Sequence, residues 1–127
     1  MLEIGKTLSK EYLVDENKTA RVLGSGDLEV LATPILVAFM EDTAKELVRG
    51  DIEKTSTTVG AKIDCDHLAP TGVGHKVFIN ATLVEVEKRK LVFSIEAKDD
   101  KDVLIGKASH IRYIVDKERF MGKVNGN

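Results

Sequence analysis

The chain has 127 residues, a formal net charge of −2 and 5% aromatic content. One domain over 1–127 is the expectation at this length, and a balanced charge with no polybasic stretch and few aromatics gives no support to a nucleic-acid partner. The longest apolar run, Ile35 to Met40, ends at Glu41 and Asp42, far short of a membrane span, and the N-terminus carries no basic segment leading into a hydrophobic stretch, so a cytoplasmic protein is expected.

Thr7 to Asp15, around Tyr12, Leu13 and Val14, reads as a first strand. Gly24-Ser25-Gly26-Asp27 follows as a flexible connection. Next comes the strongest local signal: Thr33 suits an N-cap, Pro34 suits the first helical position, and Gly50 supplies a stop after Arg49. This spacing predicts one helix of about four to five turns. At 100° per residue, Leu36, Met40, Thr43, Ala44 and Leu47 form its apolar stripe, widened by Val37 and Val48. Glu41 falls on the flank of that stripe, whereas Asp42 is expected to point to solvent.

Strands follow. Thr55 to His67 is rich in Thr, Val and Ile; Pro70 to Gly74 is a turn; and His75 to Glu87 alternates through Val77, Ile79, Ala81, Leu83 and Val86 with one slip in register. Lys88-Arg89-Lys90 turns a hairpin into Leu91 to Lys98, and Asp99 to Asp102 turns into Val103 to Val115. The tail, Lys117 to Asn127, is expected to be irregular or a short helical turn. Cys65 lies within a strand and, as the single cysteine, has no internal disulfide partner; it reads as a packing residue and not a nucleophile. Three scattered histidines and one cysteine show none of the close spacings of a metal site.

Two residues carry chemistry at unusual places. A carboxylate held against apolar surface loses part of its hydration, which marks Glu41 as a candidate catalytic group. His67, at a strand end, has the residue type suited to general-base work near neutral pH. Each has a plain structural alternative, Glu41 pairing with Lys45 at the i, i+4 spacing and His67 as a turn residue, just as Thr33 reads by itself as a cap.

The segment Ala32-Thr33, Leu36-Val37 and Met40-Glu41, then Val59-Gly60, then His67 with Ala69-Pro70 and Gly72, resembles the fluoroacetyl-CoA thioesterase family. Gly106, Ser109-His110-Ile111-Arg112 and Glu118-Arg119-Phe120 are similar to that family's last strand and end. The resemblance implies an α+β hotdog fold, one long central helix wrapped by a curved antiparallel sheet of about five strands. It implies an enzyme that hydrolyses a small acyl-CoA thioester to free acid and CoA, with CoA as part of the substrate and no separate cofactor. The family's catalytic threonine, glutamate and histidine fall on Thr33, Glu41 and His67. Its backbone-amide glycine falls on Gly60, and an arginine of its closing strand falls on Arg112. A homodimer, or a dimer of dimers, is implied, with the site at the interface. Family members selective for the fluorinated substrate carry phenylalanines ahead of the threonine, where this chain has Gly24 to Leu28; the reaction class is therefore the expectation, and the fluorinated acyl group is not. A non-catalytic acyl-CoA-binding dimer stands as the alternative. A hotdog hydratase is disfavoured by the lack of an Asn-Pro-x-His run.

Eight helical residues separate Thr33 from Glu41, about 12 Å along the axis, too far for both to touch one carbonyl. A shared site would therefore need two chains.

Overall fold

The computed structural model describes residues 1–126; Asn127, the end of the expected domain and tail, lies outside the described residues. Five strands, β1 (Thr7–Leu13), β2 (Ser56–His67), β3 (Lys76–Glu87), β4 (Lys90–Asp99) and β5 (Leu104–Asp116), form one sheet in the order β1-β3-β4-β5-β2. Every pairing is antiparallel. Helix α2 (Thr33–Arg49) packs on the sheet, preceded by a 3-10 turn at Glu16–Lys18 and a short helix α1 (Ala20–Leu23), and a last helix α3 (Lys117–Val124) follows β5. This is the hotdog arrangement that the sequence led one to expect.

Alternation sets which residues meet the helix. Val77, Ile79, Ala81 and Leu83 of β3 and Leu91, Phe93, Ile95 and Ala97 of β4 point inward against Leu36, Met40, Ala44, Leu47 and Val48 of α2. The slip in the β3 pattern is a bulge between Leu83 and Glu85, which inserts Val84 and turns the following residues over. Gly106 lets the helix close on β5, since a Cβ there would lie 3.0 Å from the Leu36 side chain.

Two expectations about α2 are corrected. Its N-cap is Ala32 and no side chain caps it, so Thr33 is already the first helical residue and its hydroxyl is left for other work. Asp42 does not face open solvent. Its carboxylate, 32% exposed, accepts hydrogen bonds from Lys10 Nζ and the Tyr12 hydroxyl, each at 2.7 Å. Tyr12 also lies flat on Phe39, ring centroids 4.3 Å apart, and so pins β1 to the helix. Partial burial works against the Asp42 charge, yet the bonds from Lys10, Tyr12 and Lys45 outweigh it and hold its pKa at about 2.

Helix α1 lies just before the expected flexible connection, in a segment for which the sequence suggested no element. Thr19 caps it through the Val22 amide, and Gly24, at φ +83°, takes the left-handed turn that ends it. The tail forms a true helix because the Asp116 carboxylate accepts from the Arg119 amide and caps α3. Among the described residues no helix is long and apolar enough to cross a membrane.

Candidate active site

The loop before α2 and the loop after β2 are laced together. Leu31 N donates to Thr71 O at 2.8 Å and Val30 bridges to Gly72, while Ala32 N, donating to Lys18 O at 2.9 Å, ties the first of these loops to the 3-10 turn. This lacing brings the start of α2 to the end of β2, where Thr33 Oγ1 and His67 Nδ1 stand 2.7 Å apart. The uncapped helix start leaves the positive end of the α2 dipole at the same place. A recess of about 320 Å³ opens over the pair, lined mainly by apolar groups including Val30, Leu31, Pro34, Leu68 and Ala69. No phenylalanine, tyrosine or tryptophan lines it among the described residues.

His67 is half-buried, and burial pulls its pKa below the ordinary imidazole value, with the Ala69 backbone acting the other way. Burial thus favours the neutral ring. Nε2 is buried and has no hydrogen-bond partner among the described residues, so Nδ1, facing Thr33, is the nitrogen engaged by the site.

Glu41 belongs to a second cluster. Its side chain is 41% exposed, and Oε2 lies 3.9 Å from Nη1 of Arg112, which is 7% exposed. The expected alternative partner, Lys45, instead pairs with Asp42 at 3.3 Å and with Glu46 at 3.8 Å. The backbone of Gly60 lies against the same carboxylate, because a Cβ on Gly60 would come within 2.7 Å of Glu41 Oε2. Gly60 opposes Arg112 in the sheet, beside a bulge between Gly60 and Lys62 that leaves Ala61 unpaired. Arg112 is gripped by Thr58, its Nε donating to the hydroxyl at 2.8 Å and Nη2 to the carbonyl at 2.9 Å.

The five residues singled out in the sequence therefore fall into two groups. Thr33 and His67 form one; Glu41, Gly60 and Arg112 form the other. Six residues of β2 lie between Gly60 and His67, which puts them roughly 20 Å apart along the extended strand. Sequence reasoning gave little weight to His110, which is 1% exposed and donates from Nδ1 to Lys62 O at 2.7 Å. Its two-residue spacing from Arg112 on one strand was the available signal. Cys65 is a packing residue, with Sγ 3.8 Å from Met40 Sδ, and burial raises its thiol pKa. Among the described residues no three His, Cys, Asp or Glu side chains gather as a metal site would need.

A model of the family described as fluoroacetyl-CoA-specific thioesterase matches residues 14–118. A fluoroacetyl-CoA thioesterase from Streptantibioticus cattleyicolor is 30% identical over 129 residues, spanning 97% of this chain and 92% of the relative. A solved variant of the fluoroacetyl-CoA-specific thioesterase, in complex with fluoroacetate and CoA, superposes with a TM-score of 0.88 at 29% identity, covering 94% of this chain and 99% of that one. At 22% identity, a Thermus thermophilus hypothetical protein of the thioesterase superfamily shares the fold, with a TM-score of 0.90 over 97% of this chain and 90% of that one.

Proposed function

Because the chain belongs to the fluoroacetyl-CoA-specific thioesterase family, a family of thioester hydrolases, we propose that it hydrolyses a small acyl-CoA to free acid and CoA in a site shared by two copies of the chain. The observation that carries this reading is the Thr33–His67 hydrogen bond of 2.7 Å, which joins a hydroxyl not used for helix capping to a half-buried imidazole. No separate cofactor enters the scheme, since CoA arrives with the substrate, and a cytoplasmic location fits such a substrate.

The geometry supports a second copy. Strand β2 is an edge of the sheet, twelve residues long, with its outer hydrogen-bonding groups free to pair. Antiparallel self-pairing about a two-fold axis at Asp64, counting Gly60 and the bulged Ala61 as one ladder position, sets Gly60 opposite His67 of the partner subunit. Both of these residues turn toward the helix side of the sheet, as direct opposites must. The same register places Lys62 opposite Asp66 of the partner subunit, an attractive pair made twice by symmetry. Asp64 meets its own copy, a repulsion that the diagonal lysines offset. Each dimer then holds two sites, each joining Thr33 and His67 of one subunit to Glu41 and Gly60 of the other.

In this site the Thr33 hydroxyl attacks the thioester carbonyl while its proton passes to His67 Nδ1. The oxyanion meets the positive end of α2 and the Gly60 amide of the partner subunit. As the C–S bond breaks, CoA leaves with the proton held by His67, and an acyl ester stays on Thr33. Glu41 of the partner subunit then takes a proton from water as the hydroxide attacks the ester; the bond between the acyl carbon and Thr33 Oγ1 breaks, that proton passes on to Oγ1, and the free acid leaves with Thr33 and Glu41 restored. Arg112 of the partner subunit steadies that carboxylate.

The recess lacks an aromatic gate and its lining is apolar, which favours plain acyl groups over a fluorinated one. A panel of acetyl-, fluoroacetyl-, longer-chain and aryl-CoA substrates, assayed with wild type, Thr33→Ala, Glu41→Gln and His67→Ala, tests the reading. Turnover of at least one substrate and its loss in all three variants is expected. Tight binding without turnover in the wild type would instead make the protein an acyl-CoA carrier, and activity surviving the joint loss of Glu41 and His67 would move the site elsewhere.

A further inference from the structure

His110 is a fully buried titratable group that the scheme above does not use, and its neighbours dictate its chemistry. The Lys62 carbonyl, 2.7 Å from Nδ1, accepts, so Nδ1 carries the proton. Arg112 Nη1, 3.2 Å from Nε2, donates, so Nε2 offers its lone pair. The ring is consequently the neutral Nδ1–H tautomer. Burial, first, and the adjacent Arg112 charge lower its pKa, against the opposing effects of the Lys62 carbonyl and Glu41. Its direct partners across the sheet are both uncharged, Ile63 of β2 and Phe93 of β4, whose ring lies 6.1 Å away between centroids.

Arg112 thereby has its guanidinium fixed on three sides. Thr58 takes Nε and Nη2, His110 takes one bond of Nη1, and the same Nη1 lies 3.9 Å from Glu41 Oε2. Without an acceptor at Nε2, nothing else among the described residues bonds Nη1 from that side. We propose that His110 is a positioning residue for the hydrolysis: by accepting from Nη1 it keeps Arg112 turned toward Glu41, and so fixes the carboxylate against Gly60. This rests on the reading of Glu41 as the site's carboxylate.

Two variants of similar size and polarity separate this role from simple packing. In His110→Gln the amide oxygen can approach the former Nε2 position and accept from Arg112 Nη1; in His110→Asn the amide nitrogen takes the former Nδ1 position and donates to the Lys62 carbonyl, while the oxygen falls short of Nη1. Each is assayed in the full-length protein, alone and combined with Glu41→Gln. Glu41→Gln alone is expected to lower kcat by about a hundredfold. His110→Asn is expected to lower kcat about tenfold with KM unchanged within about twofold, and His110→Gln to stay within about threefold of wild type. In the Glu41→Gln background the Asn and Gln variants are expected to be equally active, because the carboxylate they act through is gone. Equal losses in the two variants, or an Asn defect that persists in full beside Glu41→Gln, would overturn the role of His110 while leaving Glu41 in place. A Glu41→Gln enzyme with undiminished kcat would overturn both.

Discussion

A Cβ placed on Gly60 would lie 2.7 Å from Oε2 of Glu41, closer than any side-chain contact tolerates, so the strand backbone and the helix carboxylate are built to touch. Gly60 is thus a steric requirement of the Glu41 position. The atom that must yield is the tip of a flexible side chain, and folding should tolerate the change. Gly60→Ala is expected to shift stability by less than about 1 kcal/mol while lowering kcat about tenfold through displacement of Glu41. Urea unfolding and steady-state kinetics on the same preparation check both halves.

The acid side of the pH profile should report His67. Its burial favours the neutral ring, so its pKa lies below the ordinary value and the base remains competent into mildly acidic solution. The limb of kcat/KM is therefore expected to fall only as pH drops through a value below about 6.5. A limb at pH 7 or above would show that another group controls the reaction.

Asp42 gives a prediction about stability alone. Its pKa is about 2 in the fold against an ordinary 3.8, so its contribution is complete above the unfolded value and is lost as pH falls toward the folded one. With both Asp42 and Lys10 about a third exposed, solvent screening trims the effect. Asp42→Asn should cost about 1–2 kcal/mol at neutral pH, and the gap from wild type should close as pH is lowered from about 5 toward about 2. Chemical denaturation across that range measures it.

The proposed register can be locked chemically. In a Cys65→Ser background, Asp64→Cys would face its own copy across the two-fold axis, with Cα atoms about 4.5–5.5 Å apart, inside the range a disulfide spans. Mild oxidation should convert this variant to a covalent dimer on a non-reducing gel. Lys62→Cys, opposite Asp66 of the partner subunit, should stay uncoupled; the reverse pattern would shift the register.

Much of this molecule was legible in its local patterns. Pro34 and Gly50 bracketed α2, the alternation through Val77 to Leu83 marked β3, and Lys88-Arg89 fell in a two-residue turn where Lys88 has φ +56°. Helix α1 was missed because four residues are too few for a helical period to show, although Thr19 and Gly24 carried its capping signals. Placing the α2 cap one residue late at Thr33 had a chemical consequence: it hid a hydroxyl that is available to His67. The setting of Asp42 depends on Lys10 and Tyr12, some thirty residues earlier on a strand that pairs elsewhere in the sheet, and no helical wheel contains them. His110 was legible as part of the strand that resembles the family's last one and as sharing a face with Arg112, but its partner was not. Its bond to Lys62 lies across the paired strand beside the bulge at Ala61, where the register shifts.

The shared site is tested most directly by subunit exchange. Thr33→Ala and Glu41→Gln are each prepared as nearly inactive homodimers, mixed in equal amounts, and allowed to exchange. Half of the dimers are then mixed, and each of these holds one site with Thr33, His67 and Glu41 all intact beside one that lacks both mutated groups. Activity is expected to rise to about a quarter of wild type. A mixture that stays at the average of its two parents, with exchange verified by native mass spectrometry, would contradict a site built across two subunits.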